Sequence, residues 1–319
     1  MQKQDVIPDW LTPKELFLIW PQYLSSGVGT ILTPFYKRLL KSIKNKPIIL
    51  LHNTIDLPKD ILLSNVFPLK INTGDIWLRD FMPIAIKNGD QANYHKFIYS
   101  PSYFSSKDEK IKQIGNNIAY NLPTHFNTAN LISHSLVLDG GNFISNGKGT
   151  AITTNRIIAD NQHFSLEELK QMFQEKLGIQ NLIILPVEPG DITGHVDGML
   201  RFINENTVLV ADYPKSCFIG KLFMNKIAKS LANQGFDILR IQNDEPINKA
   251  NIFPSACGNY INYLRLNNVI YLPIYKGKNK LNKNAIALFE SLNFEVIPVF
   301  ADELSHLGGV LNCISWLYY

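Results

Sequence analysis

Short apolar runs and amphipathic stretches take turns along this chain, and that alternation narrows the choice of fold more than any other feature. The clearest apolar runs span 48–51, 182–185, 207–210, 269–272 and 294–297. They are short, rich in branched residues and bounded by polar or Gly/Pro positions, as buried strands are. Helical periodicity fills 35–44, 165–176, 221–233 and 282–292. Ser165 and Glu168 have the spacing of a capping box, and Gly235 stands just past the third helix. Strands alternating with helices make an α/β fold. A unit of helix followed by short strand ends near 52, 186, 241 and 299, repeating in pattern and not in residue identity. No low-complexity linker interrupts it, so a single domain over 1–319 is expected.

Composition excludes several classes. Charged residues are 18% of the chain and hydrophobic ones 45%, which is too apolar for disorder. The net charge of +4 is spread without blocks of one sign, so neither nucleic acid nor a membrane surface is an expected partner. The longest apolar stretches fall well short of the ~20 residues that span a bilayer. Residues 1–8 lack the long apolar run of a secretory signal, which points to the cytoplasm. The three cysteines, Cys217, Cys257 and Cys313, fit neither a disulfide framework nor a CxxC zinc pattern. Cys257 is expected in a turn with Gly258.

Reactive residues concentrate in four segments. Residues 74–83 (GDIWLRDFMP) bring together Asp75, Trp77, Arg79 and Asp80; their plain reading is a strand end with a surface ion pair. Residues 138–143 (LDGGNF) put Asp139 before two glycines, which reads most simply as a hairpin turn. Residues 191–198 (DITGHVDG) hold Asp191, His195 and Asp197. On an extended backbone His195 and Asp197 point to one side, as a general acid/base and its carboxylate would; the same pair could also ligate a metal. Residues 307–315 (LGGVLNCIS) place Cys313 in an apolar run, where a thiol is ordinarily inert core, but Gly308 and Gly309 would give a substrate room to reach it.

Together the segments supply a thiol, an imidazole and at least three carboxylates. Carboxylates sharing a pocket repel one another unless something positive compensates, either a cationic substrate or a divalent metal. A guanidinium is planar and permanently charged, so paired carboxylates match it and Trp77 offers a face for it to lie on.

At this point the chain resembles the agmatine deiminase and bacterial peptidylarginine deiminase family, within the guanidino-group-modifying superfamily. The resemblance rests on GDIWLRDFMP, LDGGN, GDITGHVDG and GGVLNCIS in the family's order, with weaker matches at IPDW…FLIWP and YINYLRLNNVIYLP. It implies a five-bladed α/β propeller, the pentein fold, of pseudo-fivefold symmetry with the site on its axis. It implies Cys313 as nucleophile, His195 as acid/base, and Asp80 and Asp197 as the carboxylates that grip the guanidinium. Trp77, Asp139, Asn262, Gly309 and Asp191 fall near bound substrate. Neither a metal nor an organic cofactor is implied. The chain departs from the pattern where RDFMP replaces RDxGP, where Asn312 stands for the usual His, and where Asp139 stands for the commoner Glu.

The implied reaction is hydrolysis of agmatine to N-carbamoylputrescine and ammonia through an amidino-thioether, a step toward polyamines. Free or peptidyl arginine is an alternative substrate, with Arg201 or Arg265 as a carboxylate clamp. Amidino transfer, metal-dependent release of urea and a non-catalytic binding protein are the competing functions. Homo-oligomerisation is left open.

Overall fold

The computed structural model describes residues 5–21, 28–54, 56–101, 103–105, 108–245 and 254–319. Residues 1–4 of the N-terminal stretch discussed above lie outside them. The first module comprises β1 (Glu15–Ile19), α1 (Val28–Ser42), β2 (Ile48–His52) and an additional strand β3 (Val66–Lys70). After the short helix α2 (Leu78–Phe81), the second module runs β4 (Ile84–Asn88), β5 (Gln91–Ile98), α3 (Glu109–Asn117), β6 (Leu131–Val137). The third is β7 (Ile144–Ser145), β8 (Thr150–Thr154), α4 (Arg156–Asp160), α5 (Leu166–Leu177), β9 (Asn181–Leu185). The fourth is β10 (Leu200–Phe202), β11 (Thr207–Asp212), α6 (Phe218–Ala232), β12 (Asp237–Gln242). The fifth is β13 (Leu264–Leu266), β14 (Val269–Ile274), α7 (Asn279–Ser291), β15 (Glu295–Phe300), followed by α8 (Asp302–Ser305) and β16 (Trp316–Tyr318).

Each module makes its own sheet by one rule. Its first two strands pair antiparallel, and its third strand pairs parallel with the second after a helical crossover, which parallel pairing requires. The first module obeys the rule only with help from the other end of the chain: β16 supplies the antiparallel partner of β1, with Phe17 opposite Trp316, while β2 pairs parallel. Five such sheets constitute the five-bladed α/β propeller expected from the resemblance.

Local chemistry explains the elements. All five residues of β2, Ile-Ile-Leu-Leu-His, are buried, as a parallel strand covered on both faces demands. On α5, Leu169, Phe173 and Leu177 recur every four residues and are the buried face. The capping box at its start forms as expected, with Ser165 accepting from the Glu168 backbone N–H. Its end is turned by Gly178 at φ 67°, a left-handed conformation that favours glycine. The four helix–strand units read from the sequence are α1–β2, α5–β9, α6–β12 and α7–β15. The fifth unit, α3–β6, escaped because its apolar residues are interrupted by polar ones and few of them are fully buried. Leu136 is the one fully buried residue of β6, and Gly115 the one buried residue of α3. Among the described residues, no helix is long and apolar enough to cross a membrane.

Candidate active site

The segment just before the leading antiparallel strand of each sheet, β16 in the first and β4, β7, β10 and β13 in the others, turns inward, and the five segments meet in a closed ring. The Arg79 N–H donates to the Cys313 carbonyl at 3.0 Å, and the Gly141 N–H donates to Asp80 Oδ1 at 3.2 Å. The Thr154 hydroxyl at the end of β8 donates to the Gly194 carbonyl at 2.6 Å. Asn259 Nδ2 donates to the Gly198 carbonyl at 3.1 Å, and Asn262 Nδ2 to the Asp197 carbonyl at 3.3 Å. Asn262 Oδ1 accepts from the backbone N–H of Asn312 at 3.1 Å, which returns the ring to its start.

Three readings of the local backbone change. Residues 78–81 are the helix α2 instead of a strand end, and Asp80 is buried, not part of a surface pair. Residues 140–142 form a single 3-10 turn joining two different modules, not a hairpin. His195 precedes another such turn at 196–198, so it and Asp197 diverge where an extended backbone would have aligned them. A three-residue helical turn rotates successive side chains by about a third of a circle, against half a circle in a strand. His195 consequently faces Asp139 and Asp80, while Asp197 faces Asn312 and Cys313.

The geometry around the imidazole is tight. His195 Nε2 lies 3.2 Å from Asp139 Oδ2 and Nδ1 lies 3.6 Å from Asp80 Oδ1. Burial opposes the charged ring, but Asp80, the hydrogen bond to Asp139, and Asp197 overcome it and lift His195 to about 10. Burial likewise lifts the Asp80 carboxyl to about 8, with His195 working against the rise and Asp139 and Asp197 adding to it. A Cβ at position 141 would sit 2.6 Å from His195 Nδ1 and 2.7 Å from Asp80 Oδ1, so only glycine fits between them.

Cys313 lies in the turn before β16, partly exposed to the cavity. Its Sγ donates to Asn262 Oδ1 at 3.3 Å and lies 3.9 Å from Asp197 Oδ2. Burial, then Asp197 and Asp80, push the thiol well above its ordinary range, which favours its protonated form. Asn312, in the place where the family usually has His, donates its carboxamide to Asp197 Oδ2 at 2.6 Å. The Trp77 indole lies directly on Gly309, where a Cβ would come within 2.4 Å of the ring.

These side chains open on a cavity of about 1050 Å³ as bounded by the described residues. Trp77, Asp80, Asp191, His195, Asp197, Asn262, Gly309 and Cys313 all line it. Asp139 does not. It stands behind His195, with Oδ1 buried and without a hydrogen-bond partner among the described residues. Asp191 is held in its own turn by the Thr193 N–H and hydroxyl at 2.8 and 2.7 Å. Seven Asp and Glu side chains line the cavity, and among the described residues no Lys or Arg does. Arg201 instead pairs with Asp9 and the Tyr263 carbonyl, and Arg265 bonds the Asn267 and Ile203 carbonyls. Cys257 is in the turn with Gly258 as expected, and both Cys217 and Cys257 lie on the cavity wall. Sequence reasoning missed Gly141, Glu188 and Tyr213. The glycine was visible only as half of a turn-like pair, and the other two carry no motif. Among the described residues, no cluster of His, Cys, Asp and Glu has the grouping that holds a metal ion.

The chain is similar to known proteins over nearly its whole length. It is 22% identical to the agmatine deiminase of Pseudomonas fluorescens over 79% of this chain and 77% of that one. The solved structure of C. jejuni agmatine deiminase superposes with a TM-score of 0.86 at 22% identity, covering 100% of this chain and 98% of the other. The agmatine deiminase of Enterococcus faecalis superposes with a TM-score of 0.82 at 16% identity, over 99% and 96%. The sequence pattern of the Porphyromonas-type peptidyl-arginine deiminases matches residues 5–318. The chain therefore belongs to the Porphyromonas-type peptidyl-arginine deiminase family.

Proposed function

We propose that this protein is a Cys-dependent hydrolase that deiminates the guanidinium of agmatine, giving N-carbamoylputrescine and ammonia. One observation carries the reading: the Cys313 thiol shares a cavity wall with His195, Asp80 and Asp197, and that cavity has seven Asp and Glu side chains and no Lys or Arg among its described lining residues. Such a pocket attracts a dication. It offers nothing to the carboxylate of free arginine, and the engagements of Arg201 and Arg265 elsewhere leave no clamp for one. The names of the similar proteins, agmatine deiminases from several organisms, support the same substrate.

In the mechanism that follows, Asp80 and Asp197 orient the guanidinium plane, and Trp77 and Gly309 border it. The positive charge of the substrate offsets the two carboxylates and favours loss of the Cys313 proton to solvent, which leaves the thiolate. The thiolate forms a C–S bond at the central carbon. The C–N bond then breaks, and His195, charged at neutral pH, gives its proton to the departing ammonia. Water enters the vacated space and His195 takes its proton. Attack at the amidino-thioether carbon expels the thiolate and leaves the ureido product. Asn262 and Asn312 hold Cys313 and Asp197 in register throughout. The same reading places the work in the cytoplasm and treats residues 1–319 as one catalytic domain.

The test is product analysis. Agmatine, arginine and an Arg-containing peptide are each incubated with the protein, and ammonia, urea and ureido product are quantified. Ammonia with N-carbamoylputrescine from agmatine is expected, and urea from any of them would overturn the chemistry. Cys313→Ala should abolish turnover while still binding agmatine, and turnover surviving in that variant would remove the thiol from the mechanism.

A further inference from the structure

A second, smaller cavity backs onto the active site, and its charges do not cancel. It measures about 70 Å³ and lies between the segment 6–10 and the ring residues Arg79, Gly140, Arg201 and Asn312. The two cavities share no lining residue, although Arg79 and Asn312 stand next in the chain to Asp80 and Cys313. The ring of inward-turned segments therefore separates them. A water needs about 10–15 Å³ of such space, so this one has room for a small ion with a water or two and none for an organic effector. Among the described residues, three charged side chains line it: Asp9, Arg79 and Arg201. Asp9 hydrogen-bonds Arg201, which also donates to the Tyr263 carbonyl at 3.1 Å. Arg79 is the charge left over. Its Nε reaches the Asn312 carbonyl at 3.5 Å, the limit of a hydrogen bond. Among the described residues its Nη groups meet no acceptor and no carboxylate within ion-pair distance. A guanidinium with five donors and one long bond is unsatisfied.

We propose that this cavity is a site for a small monovalent anion, a planar oxyanion of the nitrate, formate or bicarbonate kind, held on the free fork of Arg79. Two parallel N–H···O bonds match such an anion to a guanidinium, whereas a halide offers the fork a single point of contact. The anion supplies the negative charge that Asp9, committed to Arg201, does not. It also bears on the ring from the side away from the substrate. The Arg79 backbone N–H holds the Cys313 carbonyl at 3.0 Å, and a Cβ on Gly140 would lie 2.2 Å from the Arg79 carbonyl. Fixing Arg79 thus braces the turns that carry Asp80, Asp139 and Cys313. The acidic cavity on the other side repels anions and does not compete for them.

The test uses the full chain without substrate, so its result stands whether or not the deiminase reading holds. The melting temperature is followed as sodium nitrate, formate or chloride replaces gluconate, an anion too large for the cavity, at constant pH and ionic strength. Wild type should gain about 2 to 5 °C along a saturating curve, with nitrate and formate acting at lower concentration than chloride. Arg79→Gln should lose the gain. Arg79→Lys, which keeps the charge and not the fork, should need about tenfold more nitrate for the same gain. A response that never saturates, or an equal gain in Arg79→Gln, overturns the site. If neither variant folds, the NMR line width of chloride decides on wild type. Broadening that nitrate reverses with one site per chain keeps the proposal, and no reversible broadening sinks it.

Discussion

Gly141 shows how closely the site is fitted at the scale of single residues. Its missing Cβ is the space in which His195 Nδ1 and Asp80 Oδ1 approach each other, and both partners are buried and unable to retreat. Gly141→Ala should therefore cut kcat by about 100-fold or more through misplacement of the acid/base, measured by steady-state ammonia release. The titrating groups make a second prediction at this scale. Asp80 must be ionised to grip a guanidinium and lies at about 8, and the Cys313 thiol, raised well above its ordinary range, must lose its proton to attack, so kcat/KM should rise as pH climbs through that value and beyond it. His195 must carry its proton to supply the leaving ammonia and lies at about 10, so kcat/KM should fall above it. The profile should be a bell with its top on the alkaline side of neutral, its limbs belonging to the coupled site of Asp80, His195 and Cys313 as a whole. A maximum at or below neutral pH would contradict this account of the charges.

Elements contribute in proportion to how well their own ends are finished. The α5 capping box satisfies two backbone donors with one exposed Ser–Glu pair, whose residues do not line the cavity. Ser165→Ala should cost about 1 kcal/mol, read as a lower urea midpoint, with kcat unchanged. The elements that form the site are of another kind. They are single turns, α2 and the 3-10 turns at 140–142 and 196–198, too short to be stable alone and held by contacts with neighbouring modules. This is why their shapes could not be read locally. Asp-Gly-Gly-Asn has the chemistry of a hairpin turn, and His-Val-Asp has the alternation of a strand. Packing against the next module overrides both.

For the molecule as a whole, the decisive joint is the one between β1 and β16. Phe17 and Trp316 face each other across it, and Trp316 Nε1 donates to the Pro83 carbonyl at 2.8 Å. Trp316 is 3% exposed and stands three residues after Cys313. Trp316→Ala should remove about 3–5 kcal/mol of stability. It should also lower kcat in the fraction that remains folded, because the nucleophile's turn loses its anchor. Denaturant melts paired with activity at a temperature well below the transition would separate the two effects.

The alternation of apolar and amphipathic stretches was enough, by itself, to specify an α/β chain and to locate four of its five helix–strand units. Burial on both faces of a parallel strand leaves an unmistakable run such as Ile48 to Leu51. The identity of the reactive residues was also legible, because Cys313, His195, Asp80 and Asp197 stand in motifs dense in chemistry. The α3–β6 unit was not, since most of its residues are only partly buried and neither element carries a long apolar run. Nor was the direction of each side chain: Asp139 behind the imidazole instead of on the cavity wall, Asp197 turned to the thiol, Glu188 left facing the open space. Those are decided by five segments far apart in the chain closing on one another, and a hydrogen bond such as that from Asn312 to Asp197, across 115 residues, exists only once the ring has closed.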